Sequence, residues 1–214
     1  MPSRVVIPEI LDHLPATDPA AQRSRRDLRR INFLMGNERW VCRVLHRFPE
    51  IVGRGIVEIG AGDGQLCRKM NDLFPQASVT AYDLAPRPVD LDSRVSWQQG
   101  DLFATSPPDA GGVRVANLFL HHFEGESLSN LGRWCENGEL LVFCEPDRAK
   151  LPHLLGGLMH PFINRVTRHD MHVSITAGFA AGEIPRLLRL NSNCWKFEET
   201  WTWRGARRMI AWRT

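Results

Sequence analysis

Three acidic residues, a glycine turn and two groups of histidines are the parts of this chain whose types and spacing suggest chemistry. Glu58 closes an apolar run and is followed by Gly60, Gly62 and Gly64 at every second position of GIVEIGAGDGQL (55–66). Glycine loses more backbone entropy than other residues and packs no side chain, so three within five positions ask for unusual φ/ψ values or for a ligand lying against bare backbone. A dinucleotide site wants G-x-G-x-x-G with a helix N-terminus aimed at a pyrophosphate. Here Gln65 stands where the third glycine should be, and acidic Glu58 precedes the turn. The pattern suits a ligand with a cationic or amine end and no pyrophosphate. Asp83 in AYDLAP and Asp101 in QQGDLF follow in order. His121 and His122 in NLFLHHF, and His169 with Asp170 in RHDMH, are the candidates for taking a proton from a hydroxyl, since histidine titrates near working pH. Adjacent residues at a strand end point apart, so one of His121 and His122 is expected to face a pocket; a histidine bracing the loop by hydrogen bonds is the alternative. For Asp170 the alternative is a helix cap. His169 and His172 beside Asp170 are too weakly spaced to specify a metal.

The elements that must position these groups read as an α/β chain. A Pro-rich leader to about Pro19, expected to be loosely held, precedes helix over Ala20–Phe48, broken near Gly36-Asn37. The runs GRGIVEIG, ASVTAYDL, RVSWQQGDL, GVRVANLFL and ELLVFCEP read as strands, with helices in GQLCRKMNDLF and EGESLSNLGRWCENG between them. Strands alternating with helices mean βαβ units and a doubly wound parallel sheet. CWKFEETWTW and ARRMIAWRT, joined at Arg204-Gly205, read as a hairpin that adds antiparallel strands at one edge. The 214 residues suit one well-filled domain, the net charge of +3 does not by itself declare a nucleic-acid partner, and five scattered cysteines without a C-x-x-C form neither a disulfide framework nor a zinc knot. RSRRDLRR (23–30) reads as the solvated face of a helix whose apolar side includes Ile31, Leu34 and Met35. The N-terminus has no signal-like apolar region and no segment is long and apolar enough to span a bilayer, so a cytoplasmic protein is expected.

Glu58-Ile59-Gly60-Ala61-Gly62-Asp63-Gly64 resembles motif I of the class I S-adenosylmethionine-dependent methyltransferases. The likeness covers roughly Gly53 to Pro146 and, through NLFLHHF and SITAGF, is nearest the branch of ubiquinone and menaquinone biosynthesis and other small-molecule enzymes. It implies a Rossmann-like methyltransferase fold with a mostly parallel seven-stranded sheet, and S-adenosyl-L-methionine as cofactor. The implied cofactor set is Glu58, Gly60, Ala61, Gly62, Gly64, Asp83, Leu84, Asp101, Leu102, Asn117 and Leu118. In it Asp83 takes the two ribose hydroxyls, Asp101 reaches the adenine amino group, and the backbone of Asn117-Leu118-Phe119 lies against the methionine part. The fourth strand ends in Asn117, where metal-dependent catechol methyltransferases place an acidic ligand, so no metal is expected. The implied organisation is a leader and helical cap over 1–50 and a cofactor-binding domain over 51–214, with a substrate-covering insertion at about 147–172.

That insertion carries Leu151, Leu154, Leu155, Leu158, Met159, Phe162 and Ile163 at helical spacing, either as core or as the lining of a pocket for an apolar or aromatic acceptor. The expected function is methyl transfer to such a small acceptor, a phenol, quinone or related metabolite, by in-line displacement. An RNA or protein methyltransferase is the first rival, and the absence of prolines after Asn117 argues against the base-amine enzymes. A non-catalytic cofactor-binding scaffold is the second, disfavoured by the complete set Glu58, Asp83 and Asp101. The oligomeric state is not legible.

Overall fold

In the computed structural model, which describes residues 3–15, 17–108 and 111–214, the chain begins with helices α1 (Ile10–His13), α2 (Pro19–Met35), α3 (Asn37–Leu45) and α4 (Pro49–Val52). There follow β1 (Ile56–Ile59), α5 (Gln65–Leu73), β2 (Val79–Asp83), β3 (Val95–Gln99), β4 (Val113–Asn117), α6 (Gly125–Cys135) and β5 (Leu140–Pro146). The last third holds α7 (Lys150–Met159), α8 (Arg165–Thr176), α9 (Glu183–Leu187), β6 (Trp195–Trp201) and β7 (Ala206–Arg213). The break expected at Gly36-Asn37 is real: Gly36 has φ of 70°, the left-handed conformation that ends a helix at little cost to glycine.

The strands form one sheet in the order β3-β2-β1-β4-β5-β7-β6. The first five pair in parallel, while β7 runs antiparallel between β5 and β6. All residues of β1 and β5 are buried, as a strand covered by helices on both faces requires. One face carries the cluster of Val41, Leu45, Leu66, Met70, Val79, Val113 and Val142, and the other that of Ile59, Leu120, Leu128, Phe143, Phe179 and Ile184. The order reverses between β1 and β4, and the carboxyl ends of these two strands border the crevice where such sheets bind ligands. The five cysteines are free, four of them buried. Among the described residues no helix is long and apolar enough to cross a membrane.

Three expectations are corrected. The leader is held fast: Arg4 donates to the carbonyls of Ala177 at 2.8 Å and Phe123 at 2.6 Å and stacks over Phe179, and the first amides of α1 bond to Asp170. Four of the five arginines of α2, all but Arg25, are exposed as expected, but so are Phe33 and Leu34. Its buried side is Ala21, Ser24 and Asp27, which meet Thr167 and the amide of Asn164 at the start of α8, where a carboxylate complements free helix amides. On α7, Leu151, Leu154 and Leu158, with Phe162 just beyond, are exposed and not core, because the buried side of the helix is Gly156, against Met171 and Ile175 of α8, and Pro152, beside Gly205.

Candidate active site

The glycine turn has the unusual backbone its composition asks for. Gly60, Gly62 and Gly64 have φ of 70°, 56° and 72°, and Gly64 is the N-cap of α5. Buried Ala61 and Gly60 donate to the carbonyl of Tyr82, tying the turn to β2. A Cβ on Gly60 would fall 2.1 Å from the Phe119 ring, whereas one on Gly62 would meet nothing within 4 Å, so the turn is packed on one side and open on the other. Asp83, at the end of β2, accepts from the amides of Gly62 and Ala85, each at 2.7 Å. Leu84 beside it is exposed. Asp101 is exposed after β3 and caps the short 3-10 turn Leu102–Ala104 through the Phe103 amide, with Leu102 buried beneath. Glu58 differs from these two. It is buried in the core beside Cys67, whose thiol donates to it at 2.7 Å, and burial, with smaller contributions from Glu38, Asp83 and Asp63, lifts its pKa to about 8.

At the end of β4 the chain turns sharply. Leu118 takes φ of 58°, costly for a branched side chain, and its amide bonds to the Cys144 carbonyl at 2.8 Å. Asn117 Oδ1 is buried with no hydrogen-bond partner. The following residues wrap round one carboxylate that the sequence reading did not single out. Glu145, fully buried near the end of β5, accepts from the amides of Phe119 (3.0 Å), Leu120 (2.8 Å) and His121 (3.3 Å) and pairs with His121 Nδ1 at 2.9 Å. An acid directly after the apolar run LLVFC, within the same strand, was the available signal, since a buried carboxylate needs partners.

The 3-10 turn Leu120–His122 places both histidines on the same side, correcting the expectation that neighbours point apart: their ring centres are 4.3 Å from each other. His121 lies between Glu145 and Glu9 of the leader, with Nε2 3.4 Å from Glu9 Oε1. Burial works against its charge, but the neighbouring carboxylates of Glu145 and Glu9 outweigh it and raise its pKa to about 9. His122, partly exposed, has its pKa lowered by burial and by the neighbouring His121, and its Nδ1 faces Asp12 at 3.8 Å. Asp170, fully buried, spends both oxygens on the amides of Ile10 (2.8 Å) and Leu11 (3.1 Å), so it caps α1 from another helix, and His169 Nδ1 lies 3.1 Å from it. Ser174, one turn further along α8, bonds to Glu9. The two polar groups that the sequence offers separately thus meet across the leader. Phe119, Phe123 and Phe103 stand edge to face beside them, with centres 5.0 and 5.5 Å apart.

Two open clefts lie elsewhere. One of about 480 Å³ runs between α6 and α9 past Arg133, Arg186 and Arg189, and one of about 200 Å³ between α7 and α8 past His153, His160 and His172. Neither reaches the glycine turn, where the Phe119 ring lies on Gly60.

No family model matches the chain. Over 153 residues, 67% of the chain, it is 24% identical to a malonyl-[acyl-carrier protein] O-methyltransferase of Anoxybacillus flavithermus, and over 131 residues, 55% of the chain, 28% identical to the acetylserotonin O-methyltransferase of Gallus gallus. These matches span 52% and 37% of the relatives' own lengths, so the chain corresponds to about half or less of each. Among solved structures, the plantazolicin methyltransferase BpumL, in complex with a triazolic desmethylPZN analog and SAH, superposes over 92% of both chains with a TM-score of 0.70 at 12% identity. Together with the sheet order and the turn after β1, this likeness identifies the fold as that of the class I S-adenosylmethionine-dependent methyltransferases.

Proposed function

We propose that the chain transfers a methyl group from S-adenosylmethionine to a small aromatic or apolar acceptor. The carrying observation is the convergence, at the carboxyl ends of adjacent strands, of an open glycine turn, the Asp83 carboxylate and an unpartnered acceptor on Asn117. Those groups fit the cofactor's chemistry. Asp83 uses one lone pair on each oxygen for Gly62 and Ala85, leaving one on each for a pair of ribose hydroxyls. Asn117 Oδ1 suits an ammonium hydrogen, and Asp101 an adenine amine. Bound there, the cofactor supplies an electrophilic methyl carbon on a sulfonium. Catalysis then rests on holding acceptor, carbon and sulfur in line, for which Glu145 and the strained Leu118 fix the loop that carries Phe119 and His122. The acceptor's ring would lie against Phe119 and Phe123, with its hydroxyl toward His122. His169 and Asp170 are assigned to the leader's attachment. The same reading divides the chain into a cap over 1–50 and a cofactor domain over 51–214, with 147–172 beside the acceptor.

Titration with S-adenosylhomocysteine should show micromolar binding, about −8 kcal/mol, and NADH should not bind. NADH binding without a response to the homocysteine compound would overturn the proposal. The relatives named as O-methyltransferases favour oxygen as the atom methylated.

A further inference from the structure

Glu9, His121 and His122 are the one group of three metal-ligating side chains, among the described residues, whose donor atoms all lie within 4.8 Å of one another. We infer that they form a site for a divalent transition cation, zinc foremost, that clasps the leader to the loop after β4.

The separation of His121 from Glu9 suits a shared ion. A charged N–H···O bond closes to roughly 2.7–2.9 Å, as His121 Nδ1 does with Glu145 at 2.9 Å. On its other side His121 Nε2 stands 3.4 Å from Glu9 Oε1, too long for such a bond. Two ligands at tetrahedral angles on zinc, with bonds of about 2.0–2.2 Å, stand about 3.3–3.5 Å apart. The surroundings match what ligating histidines need. Glu145 fixes the His121 ring from behind, as carboxylates do for zinc-bound imidazoles. Ser174 holds Glu9.

Exposure gives the site its open position. The side chains of His121 and Glu9 are 5% and 12% exposed, while that of His122 is 32% exposed. Two imidazoles and one carboxylate leave a zinc ion one free coordination place, on the side of His122 and the Phe119–Phe123 pair. An oxygen ligand there would lose its proton more readily. The expectation of a metal-free chain weighed only His169, His172 and Asn117; it did not consider Glu9, which no local pattern connects to the histidines.

The test uses full-length protein carrying no histidine tag, stripped with a chelator and titrated with zinc against a chromophoric competitor. One equivalent should bind with micromolar or tighter affinity, and Glu9→Ala and His122→Ala should each weaken it at least tenfold, while His160→Ala on the α7 side does not. The cobalt-loaded protein should show visible d–d bands of a four-coordinate site, lost in His122→Ala. His122 is partly exposed, so that variant should keep its circular dichroism spectrum and thermal midpoint. If it does not, the cobalt spectrum of the unmutated protein still decides, since a six-coordinate spectrum or none refutes the site. Failure to bind zinc, or binding unchanged by both variants, overturns the inference. Either result leaves the S-adenosylhomocysteine titration unaffected, so the two proposals fail separately.

Discussion

Asp83 is the residue on which the cofactor reading turns. Its carboxylate already holds the Gly62 amide at 2.7 Å, so it arranges the turn and would receive the ribose with the same group. Asp83→Ala should cost about 2–3 kcal/mol of S-adenosylhomocysteine affinity, because charge-assisted hydrogen bonds are left unmade. Calorimetry showing less than a threefold change would place the ribose elsewhere. The places of Asp83, Asp101 and the glycines were legible because they follow from position relative to a strand end. Glu145, Glu9 and Arg4 were not, because their meaning lies in partners far away in sequence: Glu145 meets His121 from 24 residues away and Arg4 meets Ala177 from 173. The histidines show both outcomes. Their place at the end of β4 was readable, but the 3-10 turn that sets the rings side by side was not.

Among the elements, the strands were the most legible, since buried parallel strands announce themselves as short apolar runs between glycines and prolines. The helical surfaces were misread where polarity and burial part company: α2 buries Ser24 and Asp27 and exposes Leu34, while α7 buries its glycine side. The leader, α1 included, was read as loose because no apolar pattern anchors it. Its attachment depends on single polar contacts, the two from Asp170 foremost. Asp170→Ala should therefore loosen α1, raising amide hydrogen exchange at Ile10 and Leu11 by at least about tenfold and costing about 1–3 kcal/mol of stability. Exchange as slow as in the unmutated protein would mean that Arg4 and Glu9 suffice to hold the leader.

At the scale of the whole molecule, the buried acid of β1 ties stability to pH. Glu58 has its pKa raised from 4.5 to about 8, so the folded chain keeps a proton that the unfolded chain releases. Its contribution is complete below pH 4.5 and is lost as pH rises through about 8, at up to about 1.4 kcal/mol per unit. Glu58→Gln, which retains an oxygen to accept from Cys67, should flatten the decline in stability measured by urea unfolding between pH 5 and 8. Parallel curves for the two proteins would refute the assignment. The sheet order carries a last consequence, for biosynthesis. β5 lies inside the finished sheet, yet its second neighbour begins only at Ala206, after α7, α8, α9 and β6 have been made. At about 5–20 residues per second the ribosome leaves that apolar edge bare for several seconds. An open edge of this kind invites pairing with other nascent chains, so the yield of soluble protein should depend on translation speed and on chaperones that cover β5 until β7 arrives.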